Sequence, residues 1–284
     1  MSNEIIVTGG GGMVGQYFES FPNCRLFSKR ELDIIDKETV LTLTRKLQPR
    51  TIVHLAAETD VDFCQNNSDT CFQINCTGAK NVAEAANEVG AHMIYISTAS
   101  VFSGRGLQAF GVSDLPQPLN AYAKSKLNGE LEVRQTTSNS IVIRTGWLFG
   151  GFDRDKKFVS MIAQQIWDGK KVIKAVDDNI GCPTYCKDLV ECILHIAETG
   201  QTGIAHIINQ GHASRFEIAC EIAREIDPSV KVEKASPDEF PAFYAPRPKF
   251  EVIEPTVSLR SWQDALDEYL RNWIKIKKES SLFK

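Results

Sequence analysis

Tyr122 and Lys126 stand four residues apart, a spacing that turns both side chains to one face of a helix. A free phenol ionises near a pH of about 10, so alone it is a poor acid or base at neutrality. A lysine ammonium beside it favours the phenolate and draws that value toward the working range. Upstream, Ser97-Thr98 closes an apolar run, and the Thr98 hydroxyl has the chemistry to hydrogen-bond a carbonyl oxygen. Phenol, ammonium and hydroxyl at one spot suit carbonyl reduction or alcohol oxidation by a nicotinamide cofactor.

A cofactor needs a cradle, and the sequence offers one. Thr8-Gly9-Gly10-Gly11-Gly12-Met13-Val14-Gly15 follows the β-branched run Ile5-Ile6-Val7 and places glycines at 9, 12 and 15. Glycine permits a tight turn and lets backbone N–H groups approach a pyrophosphate. Gly9, Gly12, Met13, Val14 and Gly15 are therefore candidate cofactor residues. Sites that prefer NAD usually set a carboxylate on the ribose at the end of the second strand. Here that region reads Ser28-Lys29-Arg30, two cations and no acid, which predicts NADP(H), with NAD(H) as the alternative.

These groups have to be carried by alternating strands and helices. Strands are predicted at Ile5-Ile6-Val7, Leu26-Phe27, 51–56, 92–96 and 140–144, with an amphipathic helix from about Met13. Further helices are predicted from Asp36 to Gln48, from Thr77 to Val89 with Gly90 as stop, and from Asn120 to about Gln135. This alternation implies an α/β fold, a Rossmann-like doubly wound parallel sheet. After the polar break at 150–155 come a helix, a strand at 171–176, another helix and a strand at 204–208. Ser214 and Glu217 then form a capping box, and a terminal helix is expected over 261–274, beyond an irregular stretch at 237–255. The expected division is an NADP(H)-binding domain, 1–149 with part of 177–210, and a smaller C-terminal α/β substrate domain, 150–176 and 211–284.

Bulk properties exclude several classes. The net charge of −4 gives no sign of a nucleic-acid binder. No apolar run is long enough to span a bilayer, and the N-terminus runs straight into a strand pattern, so a cytoplasmic protein is expected. The eight cysteines form no CxxC pair and read as reduced, and the five histidines do not cluster, so no metal is expected. His54, on an apolar strand, reads as a core histidine.

Taken in order, the motifs resemble the extended short-chain dehydrogenase/reductases, and within them the dTDP-4-dehydrorhamnose reductase family. Leu32-Asp33-Ile34-Ile35-Asp36 resembles its adenine-side segment, and Ala56-Ala57-Glu58-Thr59-Asp60-Val61-Asp62 its AAxTxVD segment. Residues 120–130 are similar to its NxYGxTKLxGE helix, 144–150 to RTSWVFG, Gly181-Cys182-Pro183-Thr184 to GxPT, and Arg247-Pro248 to its late RP pair. One departure is plain: where that family carries STDYVF, this chain has Ser97-Thr98-Ala99-Ser100-Val101-Phe102.

The resemblance implies reduction by NADPH of the 4-keto group of a nucleotide-linked 4-keto-6-deoxysugar, by default dTDP-4-dehydro-L-rhamnose to dTDP-L-rhamnose. Tyr122 would give the proton, Lys126 would lower its pKa and bind the nicotinamide ribose, and Thr98 would polarise the carbonyl. Ser28, Lys29, Arg30, Asp33, Ile34, Ala56, Ala57, Thr59 and Asn75 would complete the cofactor site. Thr59, Val61, Thr98, Ser100, Trp147 and Arg247 would meet the substrate, Arg247 through its diphosphate. The protein would act as a monomer or homodimer, without nucleic-acid or membrane partners. A sugar-nucleotide 4-epimerase is similar around Thr98, though such enzymes usually have a longer C-terminal domain. A non-catalytic NADP-binding regulatory subunit, similar to that of methionine adenosyltransferase, is the reading from another class.

Overall fold

Seven strands form one parallel sheet, and their order explains where a ligand can enter. Across the sheet they run Val257–Ser261, Gly203–Gln210, Ser140–Thr145, His92–Thr98, Thr51–His54, Ile5–Thr8 and Cys24–Phe27. Every neighbouring pair is parallel. The chain leaves Ile5–Thr8 for one side and returns to Thr51–His54 on the other. In an open parallel sheet that reversal leaves a crevice beyond the carboxyl ends of the strands. The computed structural model describes residues 4–240 and 245–281. Met1 to Asn3 and residues 241–244 of the expected irregular stretch lie outside the described residues.

The strands are buried on both faces, and alternate residues serve opposite layers. Ile6, Ile52, Met93, Tyr95 and Val142 pack with Val40, Leu41, Val82 and Ala86 from the helices Lys37–Leu47 and Gly78–Val89. Ile5, Val7, Val53, Ile94, Ile96, Ile141 and Ile143 pack with Leu189, Ile193 and Ile196 of the helix Cys186–Thr199. A separate core joins Phe149, Ile162, Tyr185, Ile218, Ile222, Tyr269 and Trp273. Around it lie the helices Phe158–Trp167, Arg215–Ile226 and Trp262–Ser281. The parallel pairs Val172–Ala175 with Lys231–Lys234 and Trp147–Phe149 with Pro183–Tyr185 belong to the same half of the molecule.

Local signals set most element ends. The Asp36 carboxylate accepts from Thr39 N–H, Ser214 and Glu217 form the reciprocal capping box, and Gly90 adopts φ +70° after Val89. Three expectations need correction. The helix expected from Met13 is only a 3-10 turn, Gly15–Phe18. Pro22 and the return to the strand at Cys24 leave no room for more. The strand Val257–Ser261 extends the large sheet, so the segment 211–284 is not confined to the smaller half. The terminal helix also runs further than 261–274, from Trp262 to Ser281.

His54 sits inside the sheet, with Nδ1 2.7 Å from Thr8 Oγ1 and its ring stacked on Tyr95. Burial, then the nearby Lys126 charge, hold its pKa down at about 3. The unfolded chain protonates this histidine near pH 6.5, whereas the folded protein does not until about 3. Between those limits the unfolded state binds more protons, so stability falls as pH falls. His54→Gln is expected to flatten that fall by up to about 1.4 kcal/mol per pH unit. Urea unfolding of both proteins from neutrality downward measures it, and equal slopes would refute the account.

Candidate active site

A cleft of about 2170 Å³ opens over the carboxyl ends of the strands at the reversal. Its first wall is the glycine turn. Gly9 has φ +69°, and a Cβ there would lie 2.6 Å from Ala56 N; one on Gly15 would lie 2.3 Å from Gly10 O. Both positions therefore exclude side chains, which keeps the turn tight against the next strand. Among the described residues, the N–H groups of Gly11, Met13 and Val14 donate to no protein acceptor. Free backbone donors lining a cleft suit an anionic pyrophosphate without any long helix behind them.

The opposite wall is the helix Ala121–Thr136. Asn120 caps it, accepting from Ala123 N–H at 2.8 Å and donating Nδ2 to Pro246 O at 2.9 Å. Gln65 Oε1 accepts the Ala121 N–H at 3.0 Å. The first turn is thereby fixed, and Tyr122 and Lys126 both line the cleft with Thr98. Thr98 Oγ1 accepts the Ser100 N–H at 3.1 Å, which leaves its own O–H to donate, and it lies close enough to Tyr122 to bear on that phenol's ionisation.

The electrostatics differ from the expectation of a phenol made acidic by its lysine. Burial pushes the Tyr122 pKa well above the usual phenol value, and the nearby Thr98 hydroxyl only partly offsets this. Burial also pulls Lys126 down to about 7, against the opposing pull of Glu130 and Cys71. Its ammonium lies 4.2 Å from the centroid of the Tyr95 ring. Desolvation penalises each group's charged form, so both shifts run toward neutrality.

On the adenine side, Ser28, Lys29, Asp33, Ile34, Ala56 and Ala57 line the cleft, whereas Arg30 is exposed and does not. The segment is not free of acid either: Glu31 Oε2 accepts from Ser28 N and Oγ at 2.8 and 2.7 Å. Asn75, expected at the cofactor site, takes a supporting place. It is buried behind the wall in the π-turn Gln73–Thr77, outside the cleft lining. It accepts the Glu58 N–H at 2.8 Å and donates to Glu58 O and Ser125 Oγ. Asn75 thus clamps the segment after Ala57 to the Tyr122 helix.

On the far side of the cleft, Thr59, Val61, Ser100, Trp147 and Arg247 contribute to the lining. Arg247 pairs with Asp62 at 3.0 Å, tying the two halves together. Among the lining residues that escaped the sequence reading, two charged ones meet at Trp147. Arg215 stacks over Trp147, 3.7 Å from the ring centroid, and beside Phe158 at 4.8 Å. Glu251 accepts from Trp147 Nε1 at 2.7 Å and from Ser100 Oγ. One signal for Arg215 was available: a cation in the first turn of a helix opposes the macrodipole and needs another reason to be there. Among the described residues, no cluster of His, Cys, Asp or Glu could hold a metal ion, and no helix is long and apolar enough to cross a membrane.

Known proteins are similar to this chain over nearly its whole length. The family model described as the RmlD substrate binding domain matches residues 3–275. The spore coat polysaccharide biosynthesis protein SpsK of Bacillus subtilis is 32% identical, over 94% of this chain and 97% of its own. A dTDP-4-dehydrorhamnose reductase of Mycobacterium tuberculosis is 31% identical, over 96% and 90%. The crystal structure of a dTDP-4-dehydrorhamnose reductase from Bacillus anthracis, in complex with NADP, superposes with TM-score 0.90 at 32% identity, covering 96% of this chain and all of that one.

Behind the cleft lies a buried ion pair. Arg144 Nη2 donates to Glu130 Oε2 at 2.7 Å and Nε to Oε1 at 3.1 Å, and Ser97 Oγ donates to the same carboxylate. Glu130→Ala would strand the Arg144 charge in the core. The expected loss in urea unfolding is about 3–5 kcal/mol, with much of it recovered when Arg144→Met is added. Equal instability of the single and double variants would count against an unpaired charge as the cause.

Proposed function

The chain belongs to the dTDP-4-dehydrorhamnose reductase family, and on that premise we propose that it reduces the 4-keto group of a nucleotide-linked 4-keto-6-deoxysugar with NADPH, converting dTDP-4-dehydro-L-rhamnose to dTDP-L-rhamnose. The observation that carries this reading is the meeting of Thr98, Tyr122 and Lys126 in the wall of a cleft whose other end is the glycine turn.

The turn's free N–H groups hold the cofactor pyrophosphate, and Lys29 attracts the 2′-phosphate that distinguishes NADP(H). When bound, the nicotinamide supplies the hydride that adds to the sugar's C4. Thr98 donates its O–H to the carbonyl oxygen, and Tyr122 gives that oxygen its proton as the alkoxide forms. An alkoxide is more basic than a phenolate, so a phenol weakened by burial still transfers its proton, and until then it keeps it. Lys126, as ammonium, stabilises the phenolate left behind and binds the nicotinamide ribose. One hydride and one proton convert the ketone to the alcohol.

The first 149 residues with part of 177–210 are assigned to the cofactor, and residues 150–176 with most of 211–284 to the sugar nucleotide. Val61 and Thr59 meet both ligands, and Arg247, anchored by Asp62, faces the diphosphate. Eight cysteines without a disulfide support a cytoplasmic setting, and a monomer or homodimer is the assembly proposed.

The test is NADPH oxidation by the purified chain with dTDP-4-dehydro-L-rhamnose generated in place. Tyr122→Phe should lower kcat by about a hundred- to ten-thousand-fold while NADPH still binds. A wild-type protein that binds NADPH yet does not oxidise it would sink the proposal and favour a regulatory role. The pH profile is a separate check. Because Lys126 titrates at about 7 in the free protein, its ammonium is present below that value and lost above it. The kcat/KM for NADPH reports the free enzyme, so it should fall as pH rises through about 7. Lys126→Met should be slow and lack that inflection.

A further inference from the structure

Trp147 offers the substrate little, because its surfaces are already used. A Cβ on Gly181 would come within 2.3 Å of the indole ring, so the Gly181 backbone lies against one face. The Arg215 guanidinium lies 3.7 Å from the ring centroid. Two groups this close cannot share a face, so Arg215 covers the other. The ring N–H donates to Glu251. An indole occupied on both faces and at its only donor can hold other groups in place, but it cannot stack on a sugar or hydrogen-bond to one.

The groups it holds are a different matter. Among the described residues, the Arg215 side chain makes no hydrogen bond and no ion pair, although the residue lines the cleft. Glu251 is near enough to stabilise its charge, yet the Glu251 oxygens are turned to Ser100 and Trp147. Each of those oxygens keeps a second lone pair to accept with. Glu251 is also linked toward the reacting end. Its partner Ser100 donates its backbone N–H to Thr98, and its charge is felt by Tyr122. A carboxylate and a guanidinium thus flank the space beside the position of the carbonyl, and they are fixed by an aromatic platform before any ligand arrives.

We propose that Arg215 and Glu251, positioned by Trp147, determine specificity by reading the hexose hydroxyls next to the keto carbon, Glu251 accepting from them and Arg215 donating to them. This rests on the nucleotide-sugar reading above. Paired charged groups of this kind favour a hydroxylated sugar and reject one that leaves them desolvated and unmatched. Trp147 is then a positioning residue.

Calorimetric binding to the NADP-loaded full chain tests this without turnover, using dTDP and dTDP-L-rhamnose as probes. Glu251→Gln and Arg215→Gln should each weaken dTDP-L-rhamnose about tenfold or more, as expected for a lost charged hydrogen bond. Their affinity for dTDP should stay unchanged, which also shows that the variants fold. Trp147→Phe keeps a platform but drops the N–H, so it should cost less than either. Parallel loss of both probes would mean that Arg215 holds the diphosphate, and would overturn the proposal. So would no loss for either variant, or a larger loss for Trp147→Phe than for the other two. A wild-type chain that discriminates the probes but fails to oxidise NADPH would leave this inference standing and refute the reductase reading.

Discussion

The site depends on a cation kept inside the protein. Lys126 is buried on the helix that forms one wall of the cleft, and burial alone would strip its proton. Glu130, one helical turn further on, opposes that pull, and the face of Tyr95 lies under the ammonium. Glu130 can do this only because it is itself held, by two Arg144 nitrogens and by Ser97. Arg144 and Ser97 come from adjacent strands in register, Ser97 opposite Arg144 and Thr98 opposite Thr145. The charge network behind the cleft and the position of the Thr98 hydroxyl in front of it are therefore one construction. The sheet cannot shift its register without moving both.

A second restraint comes from the loop after the Thr51–His54 strand. Asn75 binds both the N–H and the C=O of Glu58 and reaches Ser125 on the Tyr122 helix. It does so from a π-turn, a geometry that advances one residue and redirects the side chain. The loop carrying Ala57 and Thr59 is thus tied to the helix carrying Tyr122 and Lys126. The groups that would meet the cofactor and those that would do the chemistry are set in one frame before a ligand binds. Such preorganisation is worth more than the hydrogen bonds themselves, since it removes the cost of ordering at the moment of reaction.

What could be read from the sequence follows from what is local. The strands carry β-branched runs, the helix starts carry Asp36, Asn120 and Ser214, and a Tyr and Lys four apart need only a helix to face the same way. Rules over a few residues capture all of these. The first helix was misread because the pattern after Gly15 is compatible with helix, while the space before Cys24 is not. The partners of Asn75 could not be read because its direction depends on a π-turn that no short-range pattern announces. The direction of the Tyr122 shift was also missed. It is set by how deeply the fold buries the phenol, and spacing along a helix carries no information about depth.

Arg215 and Glu251 were missed for a related reason. Their meeting at Trp147 requires three separate pieces of long-range structure. The strand Phe250–Glu251 must pair with Ile180–Gly181, which sets Glu251 opposite Gly181. Gly181 must lack a side chain so that the indole can lie on its backbone. The capping box at Ser214 must start its helix there, so that Arg215 is the first residue and projects over the ring. No one of these signals chemistry alone. Within the chain's resemblance to its family, the segment that departs from the pattern is Ala99-Ser100, and Ser100 is the residue that Glu251 binds. The departure therefore does not leave a gap in the cleft wall: a serine and a carboxylate occupy it together. The groups that would read the sugar and those that would do the chemistry are thus joined through Ser100, which binds Glu251 with its hydroxyl and Thr98 with its N–H.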